Sequence, residues 1–307
     1  MNENILVTRN LCKKYGKSFA VKNLNLTVKK GDIYGLVGKN GAGKTTFMRL
    51  LLSMSEITSG EIELFGETGE KNRRKEHIRI GAMIETPAFY PYLSAKENLE
   101  YYRIQRGIPG KECVLEALKT VGLFNVGKKK FKGFSLGMKQ RLGIALAIMG
   151  NPDFLILDEP INGLDPMGIK EIRDLLLSLN KLKGITIIIS SHILGELSQL
   201  ATCYGFINNG ELIEEISVDE LEDKCKHYLS IKVDNSEKAA IILEQNLKCK
   251  EYEVLNSNFI RVYGYLEEPE VVSKSLFNGG IMISSLERVG SNLEEYFINL
   301  IGGKNND

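Results

Sequence analysis

The sequence predicts an α/β fold built around a phosphate-binding loop, with a small α+β domain after it, and three observations carry that reading. An apolar strand, Ile33–Val37, runs into Gly38-Lys39-Asn40-Gly41-Ala42-Gly43-Lys44-Thr45-Thr46 and then into an apolar helical run from Phe47 to Leu52. A second apolar strand, Phe154–Leu157, ends in the adjacent carboxylates Asp158 and Glu159. A third, Ile185–Ile189, ends in Ser190-Ser191-His192. Continuous apolar runs of this length suit strands buried on both faces of a parallel sheet, whose C-terminal ends open into the crevice where ligands sit.

Composition sets the outer bounds. With 307 residues, 43% hydrophobic and 26% charged, the chain suits one large globular domain plus a small one, with disorder expected only in the tail Gly302–Asp307. Forty Lys and Arg against thirty-nine Asp and Glu leave no basic field, so no nucleic acid is expected as a partner. The five cysteines are far apart and lack C-x-x-C spacing, so reduced thiols are expected rather than a disulfide framework or a structural metal. No basic leader precedes Ile5 and no apolar run reaches a membrane-spanning length. Any membrane work would go through a partner.

From Ile5 to Val28 the chain alternates like paired strands around a polar turn at Lys13–Ser18. Tyr15 in that turn is either a surface anchor or a ring on which a base could stack. The loop Gly38–Thr45 fits G-x-x-x-x-G-K-[ST] in its required strand–loop–helix setting. Its glycines let backbone N–H groups turn inward on phosphate oxygens, and the helix N-terminus adds partial positive charge. Lys44 offers a point charge and Thr45 a hydroxyl for Mg²⁺.

Glu61–Phe65 reads as a strand, Lys71–Arg79 as a basic solvated face with helical spacing, and Ile78–Ile84 as a strand running into Glu85-Thr86-Pro87. Thr86–Leu93 is then an aromatic and proline-containing loop with Phe89, Tyr90 and Tyr92. Ser94-Ala95-Lys96-Glu97 is a capping box for a helix through Tyr102, and a second helix covers Glu112–Val121. The lysines of 128–132 either contact phosphate or line a solvated loop. Phe134-Ser135-Leu136-Gly137 leads into a helix over Met138–Met149, with Leu142, Ala145, Leu146 and Met149 on one face. This second small-residue loop at a helix N-terminus can also present N–H groups to an anion.

At the end of the Phe154–Leu157 strand, Asp158 can reach the Mg²⁺ held by Thr45, and Glu159 can accept a proton from a water attacking a γ-phosphate. Asp165-Pro166 starts a helix over Ile169–Leu182. His192, at the mouth of the sheet, is either structural or a phosphate sensor.

Taken in order, these pieces resemble the ATP-binding subunit of an ATP-binding-cassette (ABC) transporter over about residues 1–216, with a helical subdomain over about 94–150. Gly38–Thr45 looks like the Walker A motif and Phe154–Asp158 like the Walker B strand, followed by Glu159 as catalytic glutamate. Phe134-Ser135-Leu136-Gly137-Met138 looks like the signature pentapeptide, Asn162-Gly163-Leu164-Asp165 like the D-loop, His192 like the switch histidine and Tyr15 like the adenine-stacking aromatic. The resemblance implies a P-loop NTPase cassette with a mixed sheet core, an antiparallel β subdomain and a helical subdomain. It also implies ATP as substrate and Mg²⁺ as cofactor.

A head-to-tail pair of subunits is implied too, each ATP lying between one subunit's cradle, Gly38–Thr46, and the other's Ser135-Leu136-Gly137-Met138 loop and Asp165. A membrane permease would dock through Thr86–Leu93, placing the subunit at the cytoplasmic face of the membrane.

Two positions depart from the family pattern. Leu136 stands where a glycine is usual, and Glu85 stands where a glutamine usually touches Mg²⁺ and the attacking water. A carboxylate can ligate the metal but cannot donate an amide hydrogen bond, so Glu85 is a candidate metal ligand and catalytic group with altered coupling. Glu85 and the Phe-Ser-Leu-Gly-Met-Lys-Gln-Arg-Leu run look like the bacitracin- and lantibiotic-resistance branch.

Beyond Ser217, strands over 228–233, 252–255, 259–263 and 281–286 alternate with helices over 236–247 and 268–277, and a helix closes at Leu293–Leu300. That β-α-β-β-α-β order suits a ferredoxin-like accessory domain over 217–307. The leading expectation is a Mg²⁺-dependent ATPase powering export of, or protection from, a hydrophobic peptide or antibiotic. The rival is a soluble cassette ATPase acting on nucleic acid, the ribosome or a cofactor-assembly complex without a permease.

Overall fold

The structure is a computed structural model that describes residues 4–85, 88–192, 194–290 and 293–302. The predicted tail therefore falls, from residue 303 on, outside the described residues. The chain divides into two compact units, Met1–Val218 and Asp219–Asp307.

In the first unit, β1 (Asn4–Tyr15) and β2 (Ser18–Lys29) form a long hairpin, β3 (Ile33–Val37) enters the main sheet, and α1 (Lys44–Leu51) follows the Gly-rich loop. Then come β4 (Ser59–Leu64), α2 (Glu70–Glu76), β5 (Ile80–Met83), α3 (Ala95–Gln105), α4 (Glu112–Thr120) and α5 (Leu136–Ile148). The unit continues with β6 (Phe154–Asp158), α6 (Pro166–Lys183), β7 (Thr186–Ser191), the short α7 (Leu194–Leu197), β8 (Cys203–Asn208) and β9 (Glu211–Ser217). A three-stranded antiparallel sheet has the order β2-β1-β4. The main sheet runs β5-β6-β7-β3-β8-β9, parallel except for β9.

Every residue of β3, β6 and β7 is buried, as suits central parallel strands, including the polar Asp158, Thr186, Ser190 and Ser191. One core cluster joins Leu11, Leu24 and Leu64 of the antiparallel sheet to Phe47 and Leu51 of α1 and Ile156 and Ile188 of the main sheet.

The second unit holds α8 (Val218–Cys225, whose first residue closes the first unit), β10 (Tyr228–Val233), α9 (Ser236–Leu247), β11 (Tyr252–Asn256), β12 (Phe259–Val262), α10 (Pro269–Asn278), β13 (Ile283–Val289) and α11 (Leu293–Gly302). Its antiparallel sheet has the order β11-β12-β10-β13, so the first strand of the β-α-β-β-α-β run lies between the third and the fourth. Leu229, Ile231 and Val262 of the sheet pack with Ala239 and Leu243 of α9 and Val272 and Leu276 of α10 in a core of their own.

Three local expectations are corrected. The strand expected over Ile78–Ile84 begins at Ile80, because 77–79 form a 3₁₀ turn in which Arg79 bonds both Glu76 and Asp153; Ile78 is left 83% exposed. The segment 71–79 is not wholly a solvated face, since Arg73 of α2 is only 5% exposed. The helix expected from Met138 starts at Leu136, with Ser135 capping it, and is buried from Leu142 through Ile148 rather than along one face. A helix apolar on all sides is an interior helix. Gly81 of β5 shows how tightly it is packed, because a Cβ there would lie 2.2 Å from the carbonyl oxygen of Ala147.

Candidate functional site

The strand order decides what can meet. β7 lies between β3 and β6, pairing Leu36 and Val37 with Ser190 and Ser191 on one side and Asp158 with Ser190 on the other. The Gly-rich loop, the Asp158–Glu159 pair and Ser190–His192 thus leave neighbouring strands at the same end of the sheet, the end at which α/β folds bind ligands.

The loop's two fixed glycines are demanded by packing as well as by turning. At Gly38 a Cβ would sit 2.6 Å from the Ile207 carbonyl oxygen of β8. Gly43 caps α1 with φ 107°, and a Cβ there would sit 2.3 Å from the Ala20 carbonyl oxygen of β2. The two neighbouring sheets therefore press on the loop at both positions. No side chain caps α1, which leaves its first N–H groups to the loop side.

Lys44 is 4% exposed and donates from Nζ to the carbonyl oxygens of Gly38 (2.7 Å) and Lys39 (3.2 Å), with Glu159 Oε1 at 3.4 Å. Thr45 donates from Oγ1 to Asp158 Oδ2 at 2.7 Å, so these two oxygens already stand as neighbours at the sheet mouth. Asp158 Oδ1 accepts from Ser190 Oγ at 2.6 Å, and that hydroxyl accepts from the Glu159 backbone N–H at 2.9 Å. Glu159 has φ 46°, a left-handed conformation uncommon outside glycine. Its carboxylate Oε2 lies 3.0 Å from His192 Nδ1 and accepts from Asn162 Nδ2 at 3.1 Å. A cavity of about 160 Å³ opens here, lined by Ala20, Asn40, Gly41, Gly43, Lys44, Thr45, Thr46 and Glu159.

The remaining candidates make other contacts. Glu85 is not brought to the Thr45–Asp158 pair: its side chain is 63% exposed and is paired with Arg49, one turn beyond Thr45 on α1. Tyr15 ends β1 half exposed, with Lys13 Nζ 4.9 Å above its ring and its hydroxyl 3.4 Å from Ser55 Oγ. Ser135 caps α5 by accepting from the Met138 N–H at 3.3 Å, and Ser135 and Leu136 are exposed. None of Ser135, Leu136, Gly137 and Met138 lines the cavity at this chain's own loop. Asp165 is occupied as the cap of α6, its Oδ1 accepting from the Gly168 N–H at 3.0 Å.

Reading the sequence alone missed Ser190 and Arg49 and left Asn162 without a contact. Ser190's position at the end of an apolar strand was the available signal. The Arg49–Glu85 pair crosses between elements and leaves no local trace.

Comparison with known proteins gives a consistent picture. Residues 21–162 match the sequence pattern of the ABC transporter family. The chain is 46% identical to the "Bacitracin transport ATP-binding protein BcrA" of Bacillus licheniformis over 97% of this chain and 98% of that one. It is 45% identical to the "Lantibiotic transport ATP-binding protein SrtF" of Streptococcus pyogenes over 71% of this chain and 93% of that one. Among solved structures it is similar to the dimeric ATP-binding cassette MJ0796 bound to ADP and Pi, with TM-score 0.63 and 25% identity over 69% of this chain and 98% of that one.

Proposed function

This chain belongs to the ABC transporter family as an ATP-hydrolysing subunit, and from that premise we propose that it drives export of, or protection from, a peptide antibiotic of the bacitracin or lantibiotic kind. The bacitracin and lantibiotic names of its full-length and cassette-length relatives support that substrate class. The rival, a soluble cassette ATPase acting on nucleic acid, the ribosome or a cofactor-assembly complex without a permease, finds no support among them.

The observation that carries the catalytic reading is the continuous network Thr45–Asp158–Ser190–Glu159–His192 beside Lys44. The loop's inward N–H groups and Lys44 bind the triphosphate, and Glu159 is the proton acceptor for the attacking water. As the water oxygen bonds the γ-phosphorus and the bond to ADP breaks, the water proton passes to a Glu159 carboxylate oxygen. His192 and Asn162 hold that carboxylate's other oxygen, which fixes its orientation. Thr45 and Asp158 offer hard oxygen ligands 2.7 Å apart and fit Mg²⁺, whose chemistry when bound is to neutralise charge on the β- and γ-phosphates. Glu85, held by Arg49, is read as a neighbour of this site.

The Ser135–Met138 loop is assigned to the nucleotide of a second subunit. The exposure of Ser135 and Leu136, the loop's absence from this chain's cavity lining and the dimeric state of a similar cassette support that assignment.

Permease docking is assigned to the described part of the loop 86–93, Thr86 and Pro87 lying outside the described residues. Phe89 is buried, edge-on to Tyr102 and tilted against Phe131, and so anchors the loop. Tyr92 is 71% exposed, and the exposed Tyr90 and Tyr101 rings pair at 4.7 Å. Aromatic surface of this kind is typical of interface hot spots. No described helix is long and apolar enough to cross a membrane, so membrane attachment is assigned to the permease.

Purification from membranes of the native host tests the whole reading. A polytopic membrane protein should come with this chain, and deleting both should sensitise cells to bacitracin or a lantibiotic. Recovery with ribosomes or RNA in place of a membrane partner overturns it.

A further inference from the structure

Separate from the phosphate loop, and reaching Tyr15 through Ser55, a cleft of about 650 Å³ opens between the end of α1, the start of β4 and α2. Arg73 lines it and is 5% exposed, yet among the described residues its guanidinium makes no ion pair, and Nη1 is buried without a hydrogen-bond partner. Ser53, also on the cleft, has a buried Oγ with no partner. Two buried donor atoms without a hydrogen-bond partner in one cleft are unusual, because a polar atom removed from water with nothing to bond is costly.

Three acids, Glu56, Glu61 and Glu70, line the cleft as well, but among the described residues none bonds Arg73. Glu70 is bridged to Arg74 at 2.5 Å, Glu61 is shared with Arg9 at 3.4 Å, and Glu56 is solvent-exposed. Burial lowers the Arg73 pKa, with Glu70 and Glu61 pulling the other way from a distance. The rest of the wall is rich in hydroxyls, including Ser55, Thr58 and Ser59. A guanidinium with surrounding hydroxyl donors is suited to a tetrahedral oxyanion.

We propose that this cleft is a second anion site, distinct from the nucleotide cradle, where Arg73 and Ser53 take the phosphate group of a small molecule. The cleft is larger than inorganic phosphate needs and falls within the range of small-ligand sites.

Hydrogen-exchange protection separates this site from the cradle, since the two lie on different segments. Inorganic phosphate or phenyl phosphate should protect 53–62 and 69–76 in the wild type. In Arg73→Met the apparent affinity for that protection should fall at least about tenfold, the loss of a charged hydrogen bond, while protection at 38–46 persists. Tighter protection by phenyl phosphate assigns a phosphorylated metabolite, and tighter protection by phosphate assigns the free ion. Should Arg73→Met not fold, Ser53→Ala is the deciding variant, and its affinity should drop several-fold. Absence of protection over 53–62 and 69–76 with both probes, or protection unchanged in the variant that folds, overturns the proposal.

Discussion

Glu159 concentrates the chemistry at the scale of single residues. Its backbone is left-handed, its N–H is tied to Ser190, and its carboxylate is shared among Lys44, Asn162 and His192. Glu159→Gln keeps the shape and the Asn162 neighbour but removes the proton acceptor. Steady-state phosphate release should fall by about 10²- to 10⁴-fold while ATP binding survives, leaving an ATP-bound dimer detectable by gel filtration. Undiminished turnover would sink the assignment. Ser190→Ala tests the support beneath it. Asp158 is 8% exposed and Ser190 fully buried, so the variant leaves a buried acceptor short of a donor and should lose about 1–3 kcal/mol of stability in urea unfolding. A stability equal to wild type would show that water replaces the hydroxyl.

Among the elements, α3 shows a terminus that local sequence specifies completely. Ser94 accepts from the Glu97 N–H, Glu97 Oε2 accepts from the Ser94 N–H at 2.6 Å, and both halves of the capping box form as expected from S-x-x-E. The same carboxylate takes a 3.2 Å bond from Lys130, and the Ser94 backbone contact first, then the Ser94 and Lys130 side-chain bonds, lower its pKa to about 2. A carboxylate whose folded pKa is depressed stabilises above its unfolded value and loses that contribution as pH falls through the folded one. The stability gap between wild type and Glu97→Ala should therefore be full at neutral pH and close between about 4.5 and about 2. A gap independent of pH would contradict this. Ser94→Ala should cost about 1 kcal/mol by itself. Asn98, fully buried, bonds Tyr90, Leu93 and Ser94 and ties the aromatic loop to this helix.

For the molecule as a whole, the two units carry separate cores, Leu24–Phe47–Ile188 in the first and Leu229–Leu243–Leu276 in the second. A fragment covering Asp219–Asp307 should unfold cooperatively on its own, as followed by far-UV circular dichroism in urea, because its sheet and both covering helices lie inside it. A fragment without a transition would mean that its core needs the rest of the chain. Within the first unit, strand-end positions such as Asp158 and His192 were legible, because an apolar run followed by a polar group states both burial and an exit point. Arg73 was not legible: a basic helix of α2's composition reads as solvated, and the burial of this one side chain is set by tertiary packing.

Local pattern by itself determined the phosphate loop, the starts of the helices at Ser94 and Asp165, the buried strands and the β-α-β-β-α-β order of the second unit, since each is written in neighbouring residues at fixed spacing. Tertiary structure alone decided that β7 lies between β3 and β6 and so places the Ser190 hydroxyl between the Asp158 carboxylate and the Glu159 backbone N–H. It also decided that Arg49 pairs with Glu85 and that Gly38 and Gly43 must be glycine against β8 and β2. Those outcomes depend on which segments meet across long sequence separations, and strand order is not encoded in any one of them.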